Sequence, residues 1–180
     1  YKDGSQSEVK NYLLNRGINE ETIKTFQIGF APKGWDNLST FFKKNLDPEL
    51  QKVDAGLFKI SEKNNKIYDV FRNRIIFPIK SHRDQIIGFG GRVIDPTDNP
   101  KYLNSSDSDI FKKGRELYGL SEILKNKKRI NRIVVVEGYT DVLSLFSNDM
   151  NYAVATLGIA TSKVHICLLY TSPSPRDTEV

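Results

Sequence analysis

The stretch Arg132-Ile133-Val134-Val135-Val136-Glu137-Gly138-Tyr139-Thr140-Asp141-Val142 decides how the chain is read. An unbroken β-branched run has the composition of a parallel strand buried on both faces. Glu137-Gly138-Tyr139 turns the chain, and Val142, Leu145 and Phe146 then recur at i, i+3, i+4, the spacing of a helix with one apolar face. Tyr152-Ala153-Val154-Ala155-Thr156 reads as the next strand, so the segment is a β-α-β unit. Its turn carries two carboxylates, Glu137 at the carboxyl end of the strand and Asp141 four residues on. Ligands of open α/β sheets bind at such strand ends, and two carboxylates there suit an oxygen-ligated cation. An equally simple role is open for each: Asp141 as a complement to the helix N-terminus, Glu137 as a solvated turn residue.

Upstream of this unit the periodicity changes twice. Residues 7–47 read as helical. Val9, Tyr12 and Leu13 share a face that stops at Gly17, and Asn19 is a candidate N-cap for a helix carrying Ile23 and Phe26. Asp36 is a candidate cap for a helix burying Leu38, Phe41 and Phe42, and Asp47-Pro48-Glu49 opens a further helix ending near Gly56. Strands follow: Leu57–Ile60 and Ile67–Phe71 around a polar turn, then Arg74–Ile79 and Gln85–Phe89 around a Ser81–Asp84 hairpin turn, continued by Arg92-Val93-Ile94. This is an antiparallel meander. Gly88-Phe89-Gly90-Gly91 matches no phosphate-binding loop and reads as a strand bulge or bend. Residues 95–114 are polar and irregular, and a helix is expected from Ser121 to about Lys128. The expected fold is mixed, α+β passing into α/β: a helical and antiparallel lobe followed by the beginning of an α/β lobe.

Composition limits the chemistry. The 180 residues are 38% hydrophobic and 27% charged, with 27 Lys and Arg against 22 Asp and Glu and a net charge of +5. This is a globular composition, and its positive balance suits a nucleic-acid or nucleotide partner without requiring one. A single cysteine, Cys167, excludes an internal disulfide framework and a Cys-rich zinc site, and the only histidines are His82 and His165. A metal site would therefore rest on carboxylates, which favours Mg²⁺ or Mn²⁺. No apolar run approaches the ~20 residues of a membrane span, and a reduced cytoplasmic setting is the default expectation. Trp35 reads as a packing residue and His82 as a solvated turn residue.

A second candidate site is the basic series Arg72, Arg74, Arg92, Lys101, Lys112, Lys113 and Arg115, interleaved with Phe71, Phe89, Tyr102 and Phe111. Cations neutralise phosphates and aromatic faces stack on unpaired bases. Ordinary solvated charges around core aromatics would give the same pattern.

Several strings, in order, resemble one family. They are Tyr12–Ile18 with Phe26–Pro32, Phe71–Ile79 with Ile87–Arg92, Pro100–Ser105, Phe111–Gly119, and Val136–Val142. Together they look like the RNA-polymerase catalytic core of bacterial DnaG-type DNA primases, with the start of its Toprim lobe, over residues 7 to about 165. The resemblance implies DNA-templated synthesis of short RNA primers from nucleoside triphosphates in DNA replication. It implies Glu137 and Asp141 as catalytic, metal-binding carboxylates for Mg²⁺ or Mn²⁺. Arg72, Arg74, Arg92, Lys101, Tyr102 and Lys113 become the groove for single-stranded template, RNA primer and nucleotide. Zinc and the replicative helicase would engage family domains outside these residues. The implied division is a basic lobe over 1–128, the start of the Toprim lobe over 129–165, and a non-native tail over 166–180. The family's Asp-x-Asp motif has no match, so the expectation for this chain alone is an incomplete metal site and little or no activity. Two alternatives belong to other classes: a non-catalytic single-stranded-DNA-binding module, and another Toprim enzyme such as a topoisomerase or nuclease. The Phe71–Ile79 and Pro100–Ser105 strings argue against the latter.

Overall fold

The computed structural model describes residues 4–45, 56–95, 97–126, 132–158 and 160–171. The helix expected from Asp47 and the end of the one expected at Lys128 lie outside them. Helix α1 (Gly4–Asn15) buries Val9 and Leu13 and is ended by Gly17, whose φ of 75° is the left-handed conformation that glycine adopts without strain. In α2 (Glu20–Thr25), the Asn19 carboxamide accepts the Thr22 N–H at 2.8 Å, as its N-cap position predicts.

Strand β1 (Gly29–Ala31) falls where the sequence reads as helix. Three residues are too few for a period-2 signal, and only pairing with a neighbour defines them. Helix α3 (Asn37–Asn45) is capped from a distance. The Leu38 and Ser39 N–H groups are taken by the carboxylate of Asp69, at 2.7 and 3.0 Å, while Asp36 contributes its backbone carbonyl to Thr40. Phe41, expected inside, is 51% exposed, because α3 covers only the small hairpin of β2 (Phe58–Ile60) and β3 (Ile67–Asp69).

The main sheet has the order β1-β4-β5-β6, all antiparallel, with β4 (Arg74–Lys80), β5 (Ile86–Val93) and β6 (Tyr102–Asn104). Ile75, Phe77 and Ile79 alternate onto the core face of β4 and are fully buried. Pro78 is tolerated in this inner strand because β1 pairs only as far as Ile76. The glycines of β5 are not themselves a bend. The irregularity lies just before them, opposite Ile79–Lys80, and the glycines make room for rings. A Cβ on Gly88 would stand 3.2 Å from the Phe111 ring, one on Gly90 2.5 Å from Tyr139, and one on Gly91 2.8 Å from Phe71.

The chain then enters a short 3-10 turn at Lys113–Arg115, helix α4 (Leu120–Lys125), β7 (Val134–Val136), α5 (Tyr139–Ser147), β8 (Ala153–Ala155) and α6 (Lys163–Thr171). Strands β7 and β8 are parallel, as a β-α-β unit requires. The expected double burial of β7 does not hold: Val134 and Val135 are 39% and 40% exposed. Among the described residues β8 occupies the inner place, since Ala155 also exchanges two backbone hydrogen bonds with Tyr118 (2.9 and 3.0 Å), and β7 pairs on one side. Helix α6 is continuous across position 165. One core joins both parts of the chain, from Val9, Leu13, Ile18 and Phe26 through Ile75, Phe77 and Ile79 to Tyr139, Val142, Leu143 and Leu157. Each large side chain in it is worth about 1.5–3 kcal/mol of burial.

Candidate nucleic-acid interface and carboxylate turn

The two candidate sites meet at one end of the main sheet. Arg92, on β5, pairs with Tyr102 on β6, and its guanidinium lies 5.5 Å from the Tyr12 ring centre and 5.3 Å from that of Tyr102. Arg92 is only 5% exposed, its Nη1 lies 3.5 Å from Thr140 Oγ1, and its Nε has no partner among the described residues. Burying such a cation is costly, so it persists only where rings and polar atoms surround it. Lys101 is exposed, with its ammonium 5.9 Å from the Tyr102 ring. Arg74, 6% exposed, donates to the Pro100 carbonyl at 2.6 Å. Its pKa is pulled below the usual guanidinium value, chiefly by burial and further by the Arg72 charge, while Asp98 opposes both.

Arg72 belongs to a different patch. It donates to the Asp69 carbonyl, and its guanidinium lies 4.1 Å from the Trp35 ring centre and 5.5 Å from that of Tyr68. Trp35, expected as packing, is 64% exposed, because it covers this arginine and the Tyr68 edge rather than the core. Lys113 stands apart on the 3-10 turn, where its N–H bonds Asp107 and the neighbouring Gly114 carbonyl meets Ser162 ahead of α6. No contact joins Lys113 to Arg92 or Lys101 among the described residues.

Glu137 and Asp141 are both exposed. Asp141 Oδ2 accepts the Gly138 N–H at 3.2 Å, closing the first turn of α5. Glu137 makes no hydrogen bond or ion pair among the described residues. The pair offers an all-oxygen, two-residue donor set. No group of three His, Cys, Asp or Glu suited to a metal occurs among the described residues, so two carboxylates alone fall short of a full coordination sphere.

Three residues here went unremarked in the sequence as site components. Tyr12 reads there as one face of a helix. Thr140 is a generic first-turn residue. Asn104 Oδ1 accepts the Tyr139 hydroxyl at 2.6 Å, and its Nδ2 donates to the Leu157 carbonyl at 3.0 Å. No local pattern marks any of them, although each falls in one of the strings that carry the resemblance: Tyr12 in Tyr12–Ile18, Asn104 in Pro100–Ser105 and Thr140 in Val136–Val142. Elsewhere, Lys80 and Glu122 form a buried ion pair at 2.9 Å. No helix of the described residues is long and apolar enough to cross a membrane.

Comparison with known proteins bears on the family and the fold. The profile of the DNA primase catalytic core, N-terminal domain, matches residues 1–124. DNA primase of Salmonella typhimurium is 48% identical over 162 residues, which are 90% of this chain and 28% of that protein. The chain thus spans little more than a quarter of the relative's length. The Escherichia coli primase catalytic core superposes with a TM-score of 0.87 at 45% identity, over 95% of this chain and 54% of that one. A DnaG primase catalytic domain bound to single-stranded DNA superposes with a TM-score of 0.85 at 45% identity, over 95% and 55%. With its mixed fold, ordered basic strands and carboxylate turn, the chain belongs to the family of the DNA primase catalytic core, N-terminal domain.

Proposed function

We propose that this chain is the template-holding part of a DNA primase, an enzyme that makes short RNA primers on single-stranded DNA from nucleoside triphosphates. The observation that carries this reading is the meeting of Arg92, Lys101 and Tyr102 with the turn that bears Glu137 and Asp141, through Arg92 and Thr140. Cations hold phosphates, and exposed rings stack on bases. Arg74 is held rigidly behind that face, and Arg72 with exposed Trp35 and Tyr68 offers a second stacking surface on the hairpin side. Lys113, on its separate turn, would meet primer or nucleotide rather than the same stretch of template.

Glu137 and Asp141 fit Mg²⁺ or Mn²⁺ as two of its oxygen ligands, with the remainder supplied from beyond them. Such a cation neutralises charge on the triphosphate and on the attacking and leaving oxygens. The chain's own residues bind and orient: the cations hold the strand, the rings stack its bases, and the turn holds two carboxylates at the groove's end. Zinc and the replicative helicase are assigned to other domains of the full-length protein, in a cytoplasmic setting.

Binding of a fluorescent oligothymidylate tests the groove. Affinity should fall with salt, and Lys101→Ala should lower the log–log slope by about 0.7, the value for one single-strand phosphate contact. A salt-independent affinity, or one indifferent to Lys101→Ala and Tyr102→Ala together, would sink the reading. For the chain by itself a second reading is favoured by the two-carboxylate donor set: a single-stranded-DNA-binding module without catalysis. In the full-length protein, Glu137→Gln should abolish primer synthesis and leave oligonucleotide binding intact; unchanged synthesis would reject the catalytic assignment.

A further inference from the structure

The Tyr139 side chain connects three elements. Its ring stacks on Phe77 (5.0 Å between centres, 6° between planes) and meets Tyr118 edge-on at 4.8 Å. It fills the space that Gly90 leaves open on β5. Its hydroxyl donates to Asn104 Oδ1, and Asn104 Nδ2 reaches the Leu157 carbonyl just beyond β8. Asn104 pairs with Gly90 in the sheet, two positions from the Arg92–Tyr102 pair. The next residue, Thr140, reaches Arg92. Consecutive residues of the turn thus engage positions 90 and 92, which lie on the same face of β5.

We propose that Tyr139 is a positioning residue. Through its bond to Asn104 it fixes the turn Glu137–Asp141 in register with the groove face of β5 and β6. The proposal rests on reading Glu137 and Asp141 as the functional carboxylates of that turn. The ring contacts with Phe77, Tyr118 and β5 hold the ring in place; the hydroxyl bond adds the one directional tie to β6.

Amide hydrogen exchange on the whole 180-residue chain tests this without DNA or metal. The Gly138 amide bonds Asp141 Oδ2, and the Asp141 and Val142 amides bond the Gly138 carbonyl, so all three report the turn. Tyr139→Phe keeps the ring and removes the bond. It should speed exchange at those three amides by about tenfold while the β4 amides stay within about twofold. Asn104→Ala should do the same, and the double variant no more than either single one, as for two partners in one interaction. Unchanged turn amides would overturn the proposal, as would an equal rise at turn and sheet or additive effects of the two substitutions. Failure of oligonucleotide binding would overturn the functional reading but leave the exchange result standing.

Discussion

The main sheet and the β7-α5-β8 unit hold their charged residues in opposite ways. In the sheet, Arg74 and Arg92 are buried and braced by a carbonyl or by rings, and Lys80 is sealed against Glu122. In the β-α-β unit, Glu137 and Asp141 are exposed at the end of an edge strand, and Asp141 is tied only to its own turn. Among the described residues, strand β4 has neighbours on both sides over Arg74–Ile76, whereas β7 has one. The difference teaches where preorganisation resides: the basic surface is built by its own sheet, while the carboxylates borrow order from that sheet through Tyr139 and Thr140.

The strongest way to break this contrast is at the sealed pair. Lys80→Met strands Glu122 in the interior and should cost about 4 kcal/mol in urea denaturation, while pairing it with Glu122→Leu should restore most of the loss. Next come the strands themselves. Ile75→Ala should cost about 3 kcal/mol because its side chain is fully buried in the core, against less than about 1 kcal/mol for Val135→Ala on the edge. Equal costs would erase the distinction between a supported and an edge strand. Gly90→Ala tests the junction. Its Cβ would meet the Tyr139 ring, and displacing that ring should cost about 2 kcal/mol and exceed the effect of Gly88→Ala, whose contact with Phe111 is looser.

The smallest effect concerns pH. Glu116 follows the Lys113–Arg115 turn and precedes the Tyr118 bridge to β8, and burial pushes its pKa up to about 7 from an ordinary 4.5. A carboxyl raised on folding favours the protonated folded state. Its contribution is therefore complete below pH 4.5, declines as pH rises toward 7, and is absent above that. The Tm should show this downward slope, shallow because the side chain is half exposed, and Glu116→Gln should flatten it.

Several features were legible locally because their physics is local. Asn19 caps the helix next to it, Gly17 ends the helix before it, and the hairpin at Ser81–Asp84 closes between strands adjacent in sequence. The β-α-β unit and the cationic strands were also legible, since side-chain periodicity and charge are properties of the chain itself. Position and partner were not. The cap of α3 comes from Asp69, some thirty residues on. Strand β1 exists because β4 pairs with it. Val134 and Val135 have the composition of inner-strand residues, yet their burial depends on which strand has two neighbours, and that place falls to β8. The glycines of β5 suggest a bend until the rings of Phe111, Tyr139 and Phe71 are seen against them. Sequence alone determined most of the longer element types, the basic and acidic residues, and the family to which their order belongs, but not the short strands β1 and β6. Only the tertiary structure decided that Arg92 is enclosed, that Trp35 is outside, and that Tyr139 and Asn104 tie the carboxylate turn to the basic sheet. Contacts between residues far apart in sequence leave no periodic trace in the chain, so they are set by packing alone.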